Sequence, residues 1–125
     1  MKLRISGNSI RLRLSRSEVK YFEATGQIED AVEFGSASKF SYSMTAVEDA
    51  TLNCSYTSSG IHIRVPCDLA QDWTRTDLVA ISGDQPIEPG KTLQILVEKD
   101  FQCIHKSSDA NADAYPNPLK LTSNE

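Results

Sequence analysis

Residues 40–66 read FSYSMTAVEDATLNCSYTSSGIHIRVP, and three runs in this stretch alternate apolar and polar side chains. Residues 40–46, 52–56 and 61–65 each place an apolar side chain at every second position. A period of two is typical of a strand with one buried face and one face toward water. Small polar residues at 58–60 favour a tight turn. The stretch therefore predicts three consecutive strands in an antiparallel meander.

The N-terminal segment is predicted to form a hairpin followed by a helix. Residues 2–14 alternate apolar and cationic side chains on both sides of a Gly-Asn turn at 7–8. Ser15 and Glu18 have the spacing of a helix capping box. Gly26 is well suited to end that helix because glycine tolerates a left-handed backbone conformation.

The remaining pattern predicts a second helix and three further strands. We expect strands over 28–34, 78–82 and 92–99, a helix over 67–73, and a loop over 83–91. The prediction is therefore an α+β domain with a mainly antiparallel sheet curled toward a barrel and two short helices. No internal repeat is visible in the sequence.

Composition restricts the class of protein. The chain has 125 residues and a net charge of -4, which fits one domain and disfavours a surface adapted as a whole to nucleic acid or anionic lipid. We expect a single β-rich domain over 1–106 and an acidic, proline-containing segment over 107–125 that is partly docked or mobile. Three cysteines are an odd number at wide spacing, which favours reduced thiols and a cytoplasmic protein. Neither a signal peptide nor a membrane-spanning segment is predicted.

A cationic face on the first hairpin is the first candidate site. Lys2, Arg4, Arg11 and Arg13 are expected to project together and to bind phosphate or another anion. The competing interpretation, which we favour, is a surface patch neutralised by acidic segments of the same chain. Nucleic acid is disfavoured as a partner because no aromatic residues alternate with these cations to stack on bases.

A metal site is the second candidate. Asp100, Cys103 and His105 are residue types that bind zinc or a similar ion. In a strand, however, Cys103 and His105 share one face while Asp100 lies on the other. An inert, buried Cys103 is therefore the favoured interpretation.

Catalytic chemistry has little support in the sequence. Cys54 lies on the predicted apolar face, and Cys67 near a helix N-terminus is the most reactive thiol candidate. Trp73 is expected to pack in the core. We therefore predict no catalytic residue and no cofactor.

Three segments resemble a family of small uncharacterised bacterial proteins. They are MKLRISGNSIRLRL at 1–14, ILVEKDFQC at 95–103 and DAYPNP at 113–118. The resemblance covers nearly the whole chain and implies a domain of unknown function, without catalytic residues to transfer. Residues 104–106 depart from the expected pattern after the cysteine, which counts against His105 as a metal ligand of that family.

These observations favour a non-enzymatic binding or accessory domain whose partner is another protein or a second copy of the chain. Two alternatives stay open. One is a small enzyme or metal-binding protein that uses the region 100–105, and the other is an anion or nucleic-acid binder that uses the basic hairpin.

Overall fold

The structure is a computed structural model, and it describes residues 1–100. Within these residues the chain forms eight strands and two helices, which confirms the predicted β-rich α+β class. In chain order the elements are β1 (Lys2–Ser6), β2 (Ser9–Leu14), α1 (Arg16–Thr25), β3 (Gln27–Gly35), β4 (Ser38–Val47), β5 (Asn53–Thr57), β6 (Gly60–Pro66), α2 (Cys67–Arg75), β7 (Ala80–Glu88) and β8 (Lys91–Lys99).

The strands form two four-stranded sheets, in the orders β1-β2-β8-β7 and β3-β4-β6-β5. In each sheet the two outer pairs are antiparallel and the central pair, β2-β8 or β4-β6, is parallel. The predicted meander is therefore wrong in its pairing, because β6 lies between β4 and β5. The sheets are not closed into a barrel. Four of the six pairings are antiparallel, as expected for most of the sheet.

The topology repeats itself, contrary to the expectation from the sequence. The order strand-strand-helix-strand-strand occurs first from β1 to β4 and again from β5 to β8. Each sheet takes one hairpin from each repeat, so the two repeats are interleaved. Equivalent positions share burial rather than identity, which hides the repeat in the sequence. Buried equivalent pairs are Leu12 and Ile63, Phe22 and Trp73, Ile28 and Ile81, and Met44 and Val97.

One apolar cluster joins both sheets and both helices. It includes Phe22 of α1 and Trp73 of α2, whose rings pack edge to face with centroids 6.4 Å apart. Both side chains are almost completely buried, as predicted for Trp73. Full burial of a large apolar side chain stabilises a fold by about 1.5–3 kcal/mol. Contact between equivalent residues of the two repeats therefore holds them together.

Local signals fix both ends of α1. In α1 the Ser15 Oγ accepts from the Glu18 backbone N–H at 3.3 Å, and Glu18 Oε1 accepts from the Ser15 N–H at 2.8 Å, which confirms the capping box. Gly26 ends the helix with a φ of 78°, as predicted. In the described part of the chain, neither helix is long and apolar enough to cross a membrane.

Candidate binding surfaces

The four hairpin turns lie at one end of the molecule. They occupy residues 7–8, 36–37, 58–59 and 89–90. Strands β2 and β8 start from their turns and run parallel, as do β4 and β6, so both turns of each sheet lie at the same edge. Strands β5 and β7 run side by side in the same direction, which brings the turns of the two sheets to a common end. We call this the distal end, because the helices follow the opposite ends of β2 and β6.

An exposed apolar side chain lies two residues before the turn in every hairpin. These four residues, which we call the distal apolar rim, are Ile5, Phe34, Tyr56 and Ile87. Their exposures range from 53% for Ile87 to 82% for Tyr56. Four of the eight exposed large apolar side chains in residues 1–100 belong to this rim. Several such side chains at one end of a domain are typical of an interaction surface, whereas single scattered ones are not.

The position of Tyr56 in this rim differs from the position that the sequence predicts. Alternation placed Tyr56 on the buried face of its strand, but β5 extends past the core and leaves this ring in water. Phe34 and Ile87 lie at register shifts beside their turns, at equivalent positions of β3 and β7. In the sequence, each rim residue stands two positions before a turn, and this repeated spacing is the signal that could have identified the rim.

The two sheets meet differently along their two sides. Between β5 and β7, the Gln85 side chain accepts from the Cys54 N–H at 2.6 Å and donates to the Cys54 carbonyl at 3.1 Å. The side-chain amide thereby replaces a backbone pairing and joins the two sheet edges. At the equivalent position of β3 stands Val32, which is 45% exposed and has no amide to make such a bridge. On the side between β1 and β3 the sheets are joined instead at Met1, whose carbonyl accepts from the Tyr42 hydroxyl at 3.2 Å and whose amine lies 3.8 Å from Asp30.

The predicted basic face exists as a groove on the first sheet. Lys2 pairs in register with Arg13, and Arg4 with Arg11, so the four cations of adjacent strands lie side by side. Together with Leu3 they line a groove of about 320 Å³. Like charges on directly opposite strand positions are destabilising unless anions lie between them. We call this feature the basic groove.

Two carboxylates of the same chain neutralise part of the basic groove. Glu98 on β8 lies 2.9 Å from the Arg13 guanidinium and 3.6 Å from that of Arg11. Asp100 lies 3.7 Å from the Lys2 amine and 3.9 Å from Arg13. Internal neutralisation, the interpretation favoured from the sequence, thus accounts for part of this surface. Anion binding by the four cations stays a prediction.

The predicted metal site cannot be assembled from the described residues. Asp100 forms ion pairs in the basic groove, while Cys103 and His105 lie outside the described residues. Within 1–100, no group of three or more His, Cys, Asp or Glu side chains is arranged to hold a metal ion.

The two described thiols are free and occupy different environments. Burial raises the pKa of the Cys54 thiol to about 11, which keeps it protonated and inert. Cys67 is half-buried at the first position of α2, as the sequence indicated.

A histidine surrounded by hydroxyl groups lies on the other sheet. His62 Nδ1 is 2.8 Å from the Ser43 Oγ, and its Nε2 lies 3.1 Å from Ser59 and 3.2 Å from Thr57. A serine nucleophile needs a base held by a third group and donors for the developing oxyanion. Here hydroxyl groups occupy both ring nitrogens, so the arrangement fits a hydrogen-bond network that fixes β4, β6 and the turn between β5 and β6.

Comparison with known proteins gives one match. None of the curated proteins and none of the solved structures compared with this chain matches it. A family model, described as a family of unknown function (DUF7009), matches residues 1–119. The match covers all ten elements and continues beyond the described residues, in agreement with the resemblance seen in the sequence. The chain therefore belongs to the DUF7009 family of unknown function.

Proposed function

We propose that the protein is a non-enzymatic binding domain whose distal apolar rim holds an uncharged, apolar segment of another protein. The observation that carries this proposal is the recurrence of one exposed apolar residue at the same place in all four hairpins. A domain that folds alone gains nothing from leaving these four side chains in water, since each could be polar without changing the core.

The surroundings of the rim support an apolar partner. The four turns consist of Gly-Asn, Ser-Ala, Ser-Ser and Pro-Gly, without a charged residue. Charged residues at sheet ends and edges normally guard against association, and none occupies the turn positions themselves. Glu88 and Lys91 flank the last turn, but they pair with each other at 3.4 Å and add no net charge there. Phe34 and Tyr56 are large aromatic side chains, a kind that often supplies much of the binding energy at interfaces.

The rim is also held in place before any partner arrives. Each of its residues lies in a hairpin strand of one of the two sheets, and the Gln85 bridge joins the strands that carry Tyr56 and Ile87. A surface with little freedom to lose on binding keeps more of its contact energy as affinity. The free thiols of Cys54 and Cys67 support a reducing, cytoplasmic setting for this role.

Site-specific photo-crosslinking in cells that produce the protein would test this function. A photoreactive phenylalanine analogue would replace Phe34, Tyr56 or, as a matched control, Tyr21, which is 56% exposed on α1 away from the turns. We expect positions 34 and 56 to capture the same second protein and position 21 to leave it uncaptured. Adducts only between copies of the chain would contradict a heterologous partner, and equal capture from all three positions would contradict the rim as the site.

A further inference from the structure

The outer edge of β3 is open among residues 1–100. In this part of the chain β3 pairs only with β4, and eight of its nine residues are exposed. The other three edge strands are protected in ways that native sheets commonly use. β5 and β7 face each other through the Gln85 bridge, and β1 has only five residues, two of which are cationic. In contrast, β3 contains neither lysine nor proline.

The backbone groups of this edge point away from the sheet. The Ala31 N–H donates to the Asp30 carboxylate at 3.0 Å instead of to β4. Its partner in the register, Ser41, donates its own N–H to the Ser59 carbonyl on the opposite side of β4. In an antiparallel pair, alternate residues of a strand direct their N–H and C=O groups to the same side. Ala31 and the residues two positions before and after it therefore present backbone donors and acceptors to a further strand.

The side chains along this edge are acidic. β3 carries three carboxylates, those of Glu29, Asp30 and Glu33, and no cation. Because Ile28 is buried in the core, Glu29 and Glu33 lie on the outer face of the sheet. Lys39 of β4 lies opposite Glu33 in the register, but no ion pair within residues 1–100 includes Glu29 or Glu33.

Charge complementarity selects the strand that this edge can accept. A second copy paired through its own β3 would bring three carboxylates against three, and like charges on opposite strand positions are destabilising. Lysine or arginine opposite Glu29 and Glu33 would instead form cross-strand ion pairs. On the other face Val32 is 45% exposed, so an apolar residue opposite it would bury apolar surface.

We propose that residues 27–33 of β3 bind an extended segment of another protein in which cationic and apolar residues alternate. The segment adds antiparallel to β3 as a fifth strand of the second sheet. In such strand addition, main-chain hydrogen bonds supply affinity and alternate side chains supply specificity. The inference does not rest on the distal apolar rim, because it uses neither Phe34 nor the other three residues of the rim.

The test uses the full chain and the synthetic peptide Thr-Lys-Val-Thr-Val-Lys-Thr, blocked at both ends. Its two lysines have the same spacing as Glu29 and Glu33. An analogue whose backbone amides are N-methylated at both lysines keeps every side chain but loses the donors that pair with β3 in the antiparallel arrangement. The matched control analogue is N-methylated at both valines, whose amides point away from β3.

Two variants of the protein separate local charge from net charge. Glu29→Gln/Glu33→Gln removes the proposed ion pairs, and Asp72→Asn/Asp77→Asn removes the same charge from exposed positions on and after α2. Backbone amide spectra of β4 and β6 show whether each variant is folded. Sedimentation velocity without peptide shows whether copies of the chain associate.

We expect the parent peptide to bind wild type and to slow hydrogen exchange at the Glu29 and Glu33 amides by about tenfold or more. The lysine-methylated analogue should bind about fivefold or more weakly, because hydrogen bonds to the edge are lost. Glu29→Gln/Glu33→Gln should weaken the parent peptide about fivefold at low salt, through the loss of two cross-strand pairs. The valine-methylated analogue and Asp72→Asn/Asp77→Asn are expected to leave the affinity unchanged.

Three results would overturn the proposal. The first is no binding of the parent peptide, and the second is equal affinity of the lysine-methylated analogue, because side chains alone would then make the contact. The third is equal weakening by both protein variants, which would show that net charge alone acts. Association of wild-type copies that slows exchange at the same two amides would assign the edge to a second copy and also contradict the proposal.

Discussion

Glu18 connects the start of β1 to the start of α1 in the first repeat. Glu18 accepts hydrogen bonds from the Ser15 N–H and from the chain's terminal amine, and the same amine lies 3.8 Å from Asp30. Burial raises the pKa of the Glu18 carboxyl, but the bonds from the amine and from Ser15 outweigh this effect and leave the pKa below its usual value of 4.5. The ionised form therefore stabilises the fold.

A lowered pKa fixes the pH range in which Glu18 matters. The stabilisation is present above pH 4.5 and is lost as the pH falls through the folded-state pKa. We expect Glu18→Gln to lower the free energy of unfolding by about 1 kcal/mol at neutral pH and by much less in acid. Urea unfolding at both pH values checks this, with Glu23→Gln, which breaks an exposed ion pair to Arg75, as the control. A loss that is the same at both pH values would contradict the assignment.

The two described thiols are expected to react at different rates. Iodoacetamide is expected to label Cys67 well before Cys54 in the folded chain, because Cys54 is buried and its thiol has a pKa of about 11. Mass spectrometry of the two peptides over time measures the order. In denaturant the two rates should become similar, and faster labelling of Cys54 in the folded protein would refute the inferred burial.

The hairpins are the elements on which both proposed sites are built. Gly60 opens β6 with a φ of 145°, and a Cβ added there would lie 1.8 Å from the Ser41 carbonyl oxygen. The parallel pairing of β4 and β6 requires this close backbone approach, since Ser41 and Gly60 are partners in the register. No side chain can be accommodated without moving β4.

Alanine at this position is therefore expected to destabilise the protein strongly. Gly60→Ala should lower the free energy of unfolding by about 3 kcal/mol or more, through overpacking and backbone strain together. Gly90→Ala is the matched control, because Gly90 also has a positive φ but has no atom within 4 Å of an added Cβ. Its loss should be about 1 kcal/mol. Equal losses in thermal or urea unfolding would show that backbone strain alone acts at both glycines.

The Gln85 bridge between β5 and β7 is testable in the same way. Gln85→Leu removes both bonds to Cys54 and leaves two partly buried backbone groups without partners, so we expect a loss of about 2 kcal/mol. Gln94→Leu, at an exposed position of β8, should change stability by less than about 0.5 kcal/mol. Should both variants unfold at the same urea concentration, the bridge would contribute nothing.

Most local elements could be predicted from the sequence, and their partners could not. The loop expected over 83–91 is wrong, because β7 continues to Glu88 and β8 begins at Lys91. The first hairpin, the capping box of Ser15 and Glu18, and both helices follow from spacing and turn chemistry within a few residues. The parallel pairing of β4 with β6 does not, because alternation in β5 fits either side of β6 equally well. Likewise, the alternation of apolar and cationic residues identified the cations of the basic groove. The same kind of pattern predicted a buried Tyr56, because alternation does not show where along a strand the core ends.

The two interleaved repeats give the protein two distinct ends. Helices α1 and α2 meet through Phe22 and Trp73 at one side of the core, while the four hairpin turns project at the distal end. The repeat explains why the distal apolar rim has one member in each hairpin. The proposed binding surface takes residues from both sheets and therefore depends on the complete fold, and the family match spans all ten elements.

The most direct test is the affinity of the purified partner, once captured by crosslinking, for four forms of the full chain. Isothermal titration calorimetry would compare wild type, Phe34→Ser, Tyr56→Ser and the control Tyr21→Ser. All three tyrosine and phenylalanine side chains are more than half exposed, so the folded state should tolerate each change. Loss of a central aromatic contact weakens an interface by about 2 kcal/mol or more, which corresponds to about thirtyfold in Kd. We predict such a loss for Phe34→Ser and Tyr56→Ser and wild-type affinity for Tyr21→Ser. Equal affinities of all four forms would contradict it.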